Sequence, residues 1–203
     1  MILPLMNHKA TTALLGAALV ATIGIMGFNG VFSIPSGIVT TTTGNNGGGE
    51  NLLGHVTVIV SDQDGKIKAY RQMDNVVTNV GRTCTSSALF GTTTQCTAST
   101  FQYIGIGTGT ASEVTSNTGL VAETQRAVRS TYSVTNSTGG TGGIATQSAT
   151  FGFSASQAIA ESGIFDTTAS TGLGHDFARK TISPVVNVLS GDTLTVTWSV
   201  TTG

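Results

Sequence analysis

Gly105, Gly107 and Gly109 fall within five residues, directly after the apolar pair Tyr103-Ile104. Glycines at that density can form a phosphate cradle, because backbone N–H groups close on an anion only where no side chain intervenes. A dinucleotide loop places its third glycine one residue later than Gly109 and then opens a helix. Here Thr110-Ala111-Ser112-Glu113 follows instead, and no Gly-Lys-Ser or Gly-Lys-Thr occurs anywhere. The stretch therefore reads as a close-packed strand and turn rather than a nucleotide site.

Other residue types offer chemistry of their own. Glu123, Glu161 and Asp166 are a possible acid–base carboxylate set of the glycosidase kind. They also have natural counter-charges in Arg126, Arg129 and Arg179, and pairing is the cheaper fate for a carboxylate that enters a sheet. The reading adopted is structural ion pairs among Glu123, Arg126, Glu161 and Arg179, with no catalytic residues. His55 and His175 are candidate members of a Ser-His-Asp triad, but no Gly-x-Ser-x-Gly elbow accompanies them, and both read as solvated. Trp198, Phe151, Phe153 and Phe165 could stack a sugar; their period of two reads more simply as core. Asp62 and Asp64 lack the register of an EF-hand, so no metal or cofactor is expected. Cys84 and Cys96 are too few for a closed zinc site and too far apart for a Cys-x-x-Cys motif, leaving a disulfide. Asn136-Ser137-Thr138 is a glycosylation triplet in an expected loop.

The elements that position these residues are short strands. Residues 53–60 and 66–70 flank Asp64-Gly65, a strong hairpin signal. Residues 100–107, 144–153 and 158–165 are strand-like, and 119–134 reads as a turn running into one strand. Residues 75–91 start as a strand and end in a short helix. Residues 177–186 carry Pro184, which suits an edge or a bulge. Leu194, Val196, Trp198 and Val200 alternate along the last strand. Regular short strands with Gly-rich turns predict an all-β fold, an antiparallel β-sandwich of the jelly-roll or Ig-like kind over residues 53–203.

Ahead of it, residues 10–28 are uncharged and long enough for a helix across a bilayer, with Lys9 as the positive flank. Residues 1–29 are therefore expected to form one hydrophobic α-helix. It is a cleaved signal peptide, a retained anchor or the helical core of a filament; each leads to export. Residues 30–52 form a β-prone arm, with Ile38 and Val39 at its centre, and a Gly/Asn-rich linker. Only 9% of the chain is charged and the formal net charge is -1, against about 25% charged residues in an average protein, so no electrostatic case for nucleic acid exists.

Several segments carry a resemblance. Ile104-GIGTGT-Thr110 followed by Leu120, Glu123 and Arg126 is similar to a turn and Leu-x-x-Glu-x-x-Arg segment of tailed-phage and prophage structural proteins. Segments 75–81, 158–166, 177–185 and 192–198 resemble further strands of the same tail-fibre-like proteins, in the same order, across about residues 55–200. The resemblance implies a non-catalytic β-sandwich used in assembly or attachment. The N-terminal hydrophobic helix and the cysteine pair depart from that pattern and suggest a version sent through a membrane. The expected function is a self-assembling subunit at a cell or virion surface, its partners being copies of itself and, through the helix, a membrane. The alternative is a membrane-anchored adhesin that binds a receptor or a host or cell-surface glycan.

Overall fold

The computed structural model describes residues 52–91, 101–136, 142–168 and 175–202. The expected N-terminal helix, the arm with Ile38 and Val39, the linker and Cys96 lie outside these residues. Among the described residues no helix is long and apolar enough to cross a membrane.

The described chain is mostly β: two antiparallel sheets of five strands with one short helix. The strands are β1 (Leu52–Ser61), β2 (Ile67–Asp74), β3 (Val76–Val77), β4 (Tyr103–Gly107), β5 (Glu123–Val128) and β6 (Thr131–Asn136). They continue with β7 (Gly143–Gly152), β8 (Gln157–Phe165), β9 (Asp176–Val188) and β10 (Thr193–Thr202). The helix α1 (Asn79–Phe90) lies between β3 and β4. The first sheet runs β2-β1-β10-β7-β6 and the second β3-β9-β8-β4-β5.

Alternation puts one face of each sheet into a shared core. Val56, Val58 and Val60 on β1 stand opposite Trp198, Val196 and Leu194 on β10, and all are buried. Ile104, Ile106, Ile164 and Ala178 supply the second sheet's side of the same cluster. Each such side chain stabilises the fold by roughly 1.5–3 kcal/mol relative to exposure. A polar seam crosses this core with its bonds made: Trp198 Nε1 donates to Ser162 Oγ at 3.2 Å, and Ser162 Oγ donates to the Gly105 carbonyl at 2.9 Å.

The β1–β2 turn closes as its residue types dictate. Asp62 Oδ1 accepts from the Asp64 and Lys66 amides, and Gly65 takes φ 78. Thr78 caps α1 by accepting from Gly81 N at 2.9 Å, and Gly91 ends it in the left-handed region. A Cβ on Gly81 would lie 2.3 Å from the Phe177 carbonyl oxygen, so the helix start is seated directly on β9. Pro184 lies where β9 slips register against β8, between Ile159 and Glu161.

Two expectations need correction. Residues 119–134 are not one strand. The Arg129 amide donates to Gln102 beside β4, whereas the next amide, Ser130, donates to Ser148 on β7. Two successive amides bonded to different sheets force the chain to step across, giving β5 in one sheet and β6 in the other. The aromatic set also divides: Phe151, Phe153 and Trp198 belong to the core cluster, but buried Phe165 does not. Its ring lies on the outer face of the second sheet, over Gly163 and Gly105.

Candidate functional site

Two places gather polar and aromatic side chains, and they differ in how completely their hydrogen bonds are met. The first is the outer face of the second sheet. Gly105 lies between Arg126 on β5 and Gly163 on β8, and Gly163 faces Arg179 on β9. Glu123, Gly107, Glu161 and Thr181 make the neighbouring row. Glu161 and Arg179 are fully buried and paired, Arg179 Nη2 lying 2.8 Å from Glu161 Oε2. Glu161 Oε1 also accepts from the Gly109 and Ala122 amides at 3.1 and 2.7 Å, and Oε2 from Val121 at 2.9 Å. Arg179 spends its other donors on the carbonyls of Ala111 and Ser112 and on Asn117 Oδ1. One carboxylate and one guanidinium thus tie down the loop between β4 and β5.

The opening glycines belong to this arrangement. A Cβ on Gly109 would come within 2.4 Å of Glu161 Oε1, and one on Gly107 within 2.4 Å of the Ala122 carbonyl oxygen. The anion they admit is the protein's own carboxylate, not a phosphate. Beside them Arg126 grips Glu123 with two bonds, 2.6 and 2.7 Å, and lies 3.6 Å above the Phe165 ring. Lys180 and the Thr181 amide hold Glu113, whose burial raises its pKa while these bonds lower it further, leaving it at about 2.

Both oxygens of Glu161 and of Glu123 are engaged. Asp166 accepts from the His175 amide and meets His175 Nδ1, so His175 is held rather than solvated; no described serine is hydrogen-bonded to it. His55 likewise meets Asp74. Among the described residues no group of three or more His, Cys, Asp or Glu could hold a metal ion. One carboxylate stands apart: Asp176 is buried with neither oxygen hydrogen-bonded. Burial pushes it up to about 7 against the opposing charges of Arg179 and Arg126.

The second place is a cleft of about 250 Å³ between the sheets beside β6. Its walls include Phe101, Tyr132, Phe177 and Trp198, with Gln147 and Arg129 as polar groups. Phe101 and Phe177 touch, with ring centroids 5.0 Å apart. Arg129, a candidate partner for the carboxylates, makes no ion pair among the described residues; its guanidinium lies 3.8 Å over the Tyr132 ring. Gln147 is only 7% exposed, yet its Oε1 has no hydrogen-bond partner. Sequence reasoning missed this cleft. The available signal was a glutamine, Gln147, within the otherwise apolar alternation of Ala145, Ala149 and Phe151.

Of the remaining expected site residues, Cys84 is disulfide-bonded on α1, while the only other cysteine, Cys96, lies outside the described residues. Asn136 is exposed and closes β6 opposite Gly143, so it is a strand end rather than a loop residue. Compared with protein-family models, curated protein sequences and solved structures, the chain matches none.

Proposed function

We propose that this chain is a non-catalytic structural subunit that self-assembles at a cell or virion surface, built on a β-sandwich of the jelly-roll or Ig-like kind. The observation that carries the reading is β6. All six of its residues are exposed, and it pairs with β7 alone. Tyr132 and Val134 are 54% and 59% exposed, and the strand carries no charge and no proline. An edge of that kind is a template for another strand. The uncharged arm at residues 36–43 has the composition of a donated strand, with main-chain bonds supplying affinity and Ile38 and Val39 the side-chain contacts. The resemblance to phage and prophage tail-fibre-like proteins, the low charge and the exportable N-terminus support the same reading.

Negative-stain electron microscopy with intact mass on the same sample tests it. The full chain should give regular filaments or particles. A chain lacking residues 1–43 should give folded monomers, and polymers from that truncation would overturn arm donation. A second reading, a membrane-anchored adhesin or receptor- or glycan-binding module, is favoured by the aromatic cleft. It expects dispersed monomers from the full chain.

A further inference from the structure

We propose that Asn136 is N-glycosylated and that its first sugar lies over Val134, covering a core-facing row that the fold leaves bare. The inference rests on the export that the assembly reading also requires, and not on polymerisation. Of the chain's ten asparagines only Asn136 has Ser or Thr two positions on, in Asn136-Ser137-Thr138. That spacing is the acceptor signal for an N-linked sugar in an exported protein. The structure puts the asparagine where a bulky group fits. Asn136 is exposed at the end of β6, and its partner across the ladder is Gly143, which carries no side chain. A Cβ built on Gly143 would meet nothing nearer than 3.6 Å. In the reaction the side-chain nitrogen of Asn136 bonds the anomeric carbon of a sugar carried on a polyprenyl phosphate or diphosphate. The C–O bond to the carrier breaks, the phosphate leaves with the electron pair, and the amide gives up one proton.

Alternation decides what the sugar covers. Tyr132 stands beside Gln147 and Trp198, and Val134 beside Ala145 and Val200. Trp198 is in the core, so Tyr132 and Val134 point to the core side of the sheet. Yet they are 54% and 59% exposed. No described strand of the second sheet packs over β6 as β5 packs over β7. Side chains two apart on a strand share a face, about 7 Å from one another, so Asn136 continues the row of Tyr132 and Val134. A pyranose ring on Asn136 reaches back over Val134 and sets its C–H face against the valine, while its hydroxyls stay in water. Such a cover takes the side-chain face of β6 and leaves the main-chain groups along its edge free.

The test is intact mass and peptide mapping on the full-length chain purified from its native source. The peptide carrying Asn136 should bear one increment built of sugar-residue masses, absent from Asn136→Gln. A peptide that carries no sugar overturns the proposal; if that protein still forms filaments, the assembly reading stands. Sugar on Asn136 of a chain that gives only monomers does the reverse. Thermal melts then test where the sugar lies. Asn136→Gln should lower the Tm by about 2–4 °C. In a Val134→Ser background the same change should move the Tm by less than about 1 °C, because the sugar has lost its apolar contact. Equal shifts in the two backgrounds, or none in either, would take the sugar off Val134 and overturn the cover.

Discussion

The outer face of the second sheet and the cleft beside β6 use similar residue types to opposite ends. On the outer face, Glu161 and Arg179 are buried and every strong donor and acceptor between them is met. In the cleft, Arg129 has an aromatic ring but no acid, and Gln147 Oε1 has nothing. A closed network holds a loop in place; an open one is available to something else. The difference separates charge that shapes this fold from charge that can meet a partner.

The sharpest way to break the comparison is to remove one charge from each place. Glu161→Gln leaves Arg179 buried without its counter-ion and sets an NH2 donor against the Val121 amide where a carboxylate oxygen accepted. Denaturant unfolding should show a loss of about 3–5 kcal/mol. Arg129→Gln should change stability by no more than about 0.5 kcal/mol. Equal losses in the two variants would erase the distinction between a closed and an open network. Replacing Glu161 and Arg179 together by leucine and methionine removes both charges but leaves the Gly109, Val121 and Ala122 amides and the Ala111 and Ser112 carbonyls without partners, so it should cost at least as much as Glu161→Gln alone.

Asp176 is the one exception on the closed face, and its effect comes next in size. Its folded pKa, about 7, lies above the ordinary 3.8. The folded state therefore keeps a proton that the unfolded state has lost across that window, and stability falls as pH rises from about 4 to 7 and stays low above it. Asp176→Asn should remove this slope and stabilise the protein at pH 8 by about 2–4 kcal/mol. Thermal melts from pH 4 to 8 on both proteins check it; parallel curves would mean that Asp176 ionises in the folded state as it does in water. Glu113, lowered to about 2, works with the opposite sign: its contribution is present above its unfolded pKa and is lost as pH falls toward 2.

Gly109→Ala is smaller again. The new methyl would meet Glu161 Oε1 at 2.4 Å and Val121 Cβ at 2.7 Å, costing about 1–3 kcal/mol as the loop shifts. Gly119→Ala, with nothing within 4 Å and no positive φ, should be neutral or stabilise by up to about 1 kcal/mol. A Gly109→Ala as mild as Gly119→Ala would show that the loop does not rest on Glu161.

Much of this frame was legible in the residues. Alternation of Leu194, Val196 and Trp198 named a core strand, and Asp64-Gly65 named a hairpin, because both signals are local. Glu161 and Arg179 suggested a pair through charge alone, but their hold on residues 109–122 depends on backbone amides that no side-chain pattern reveals. The break after Val128 was invisible because Glu123–Val128 and Thr131–Asn136 are equally strand-like; only the amides of Arg129 and Ser130 separate them. The cleft follows from that break, since the step between sheets carries Arg129 to the Tyr132 ring. A feature lined by five strands, β6 to β10, leaves little trace in any one of them.

The smallest effect on stability should be the largest on assembly. The two edges of the first sheet differ: β2 carries Lys68, Arg71 and Asp74, whereas β6 carries no charge. Charged side chains guard an edge, because an added strand would strip their water. Val134→Lys copies that guard onto β6. At a position 59% exposed, the change should move stability by no more than about 0.5 kcal/mol. Under arm donation it should leave a folded full-length chain that no longer polymerises, as seen by sedimentation and negative stain. Placing lysine at Gln72 on the already guarded β2 should leave polymers unchanged. Polymers that survive Val134→Lys and vanish with a lysine at position 72 would move the assembly edge from β6 to β2 and reverse the contrast.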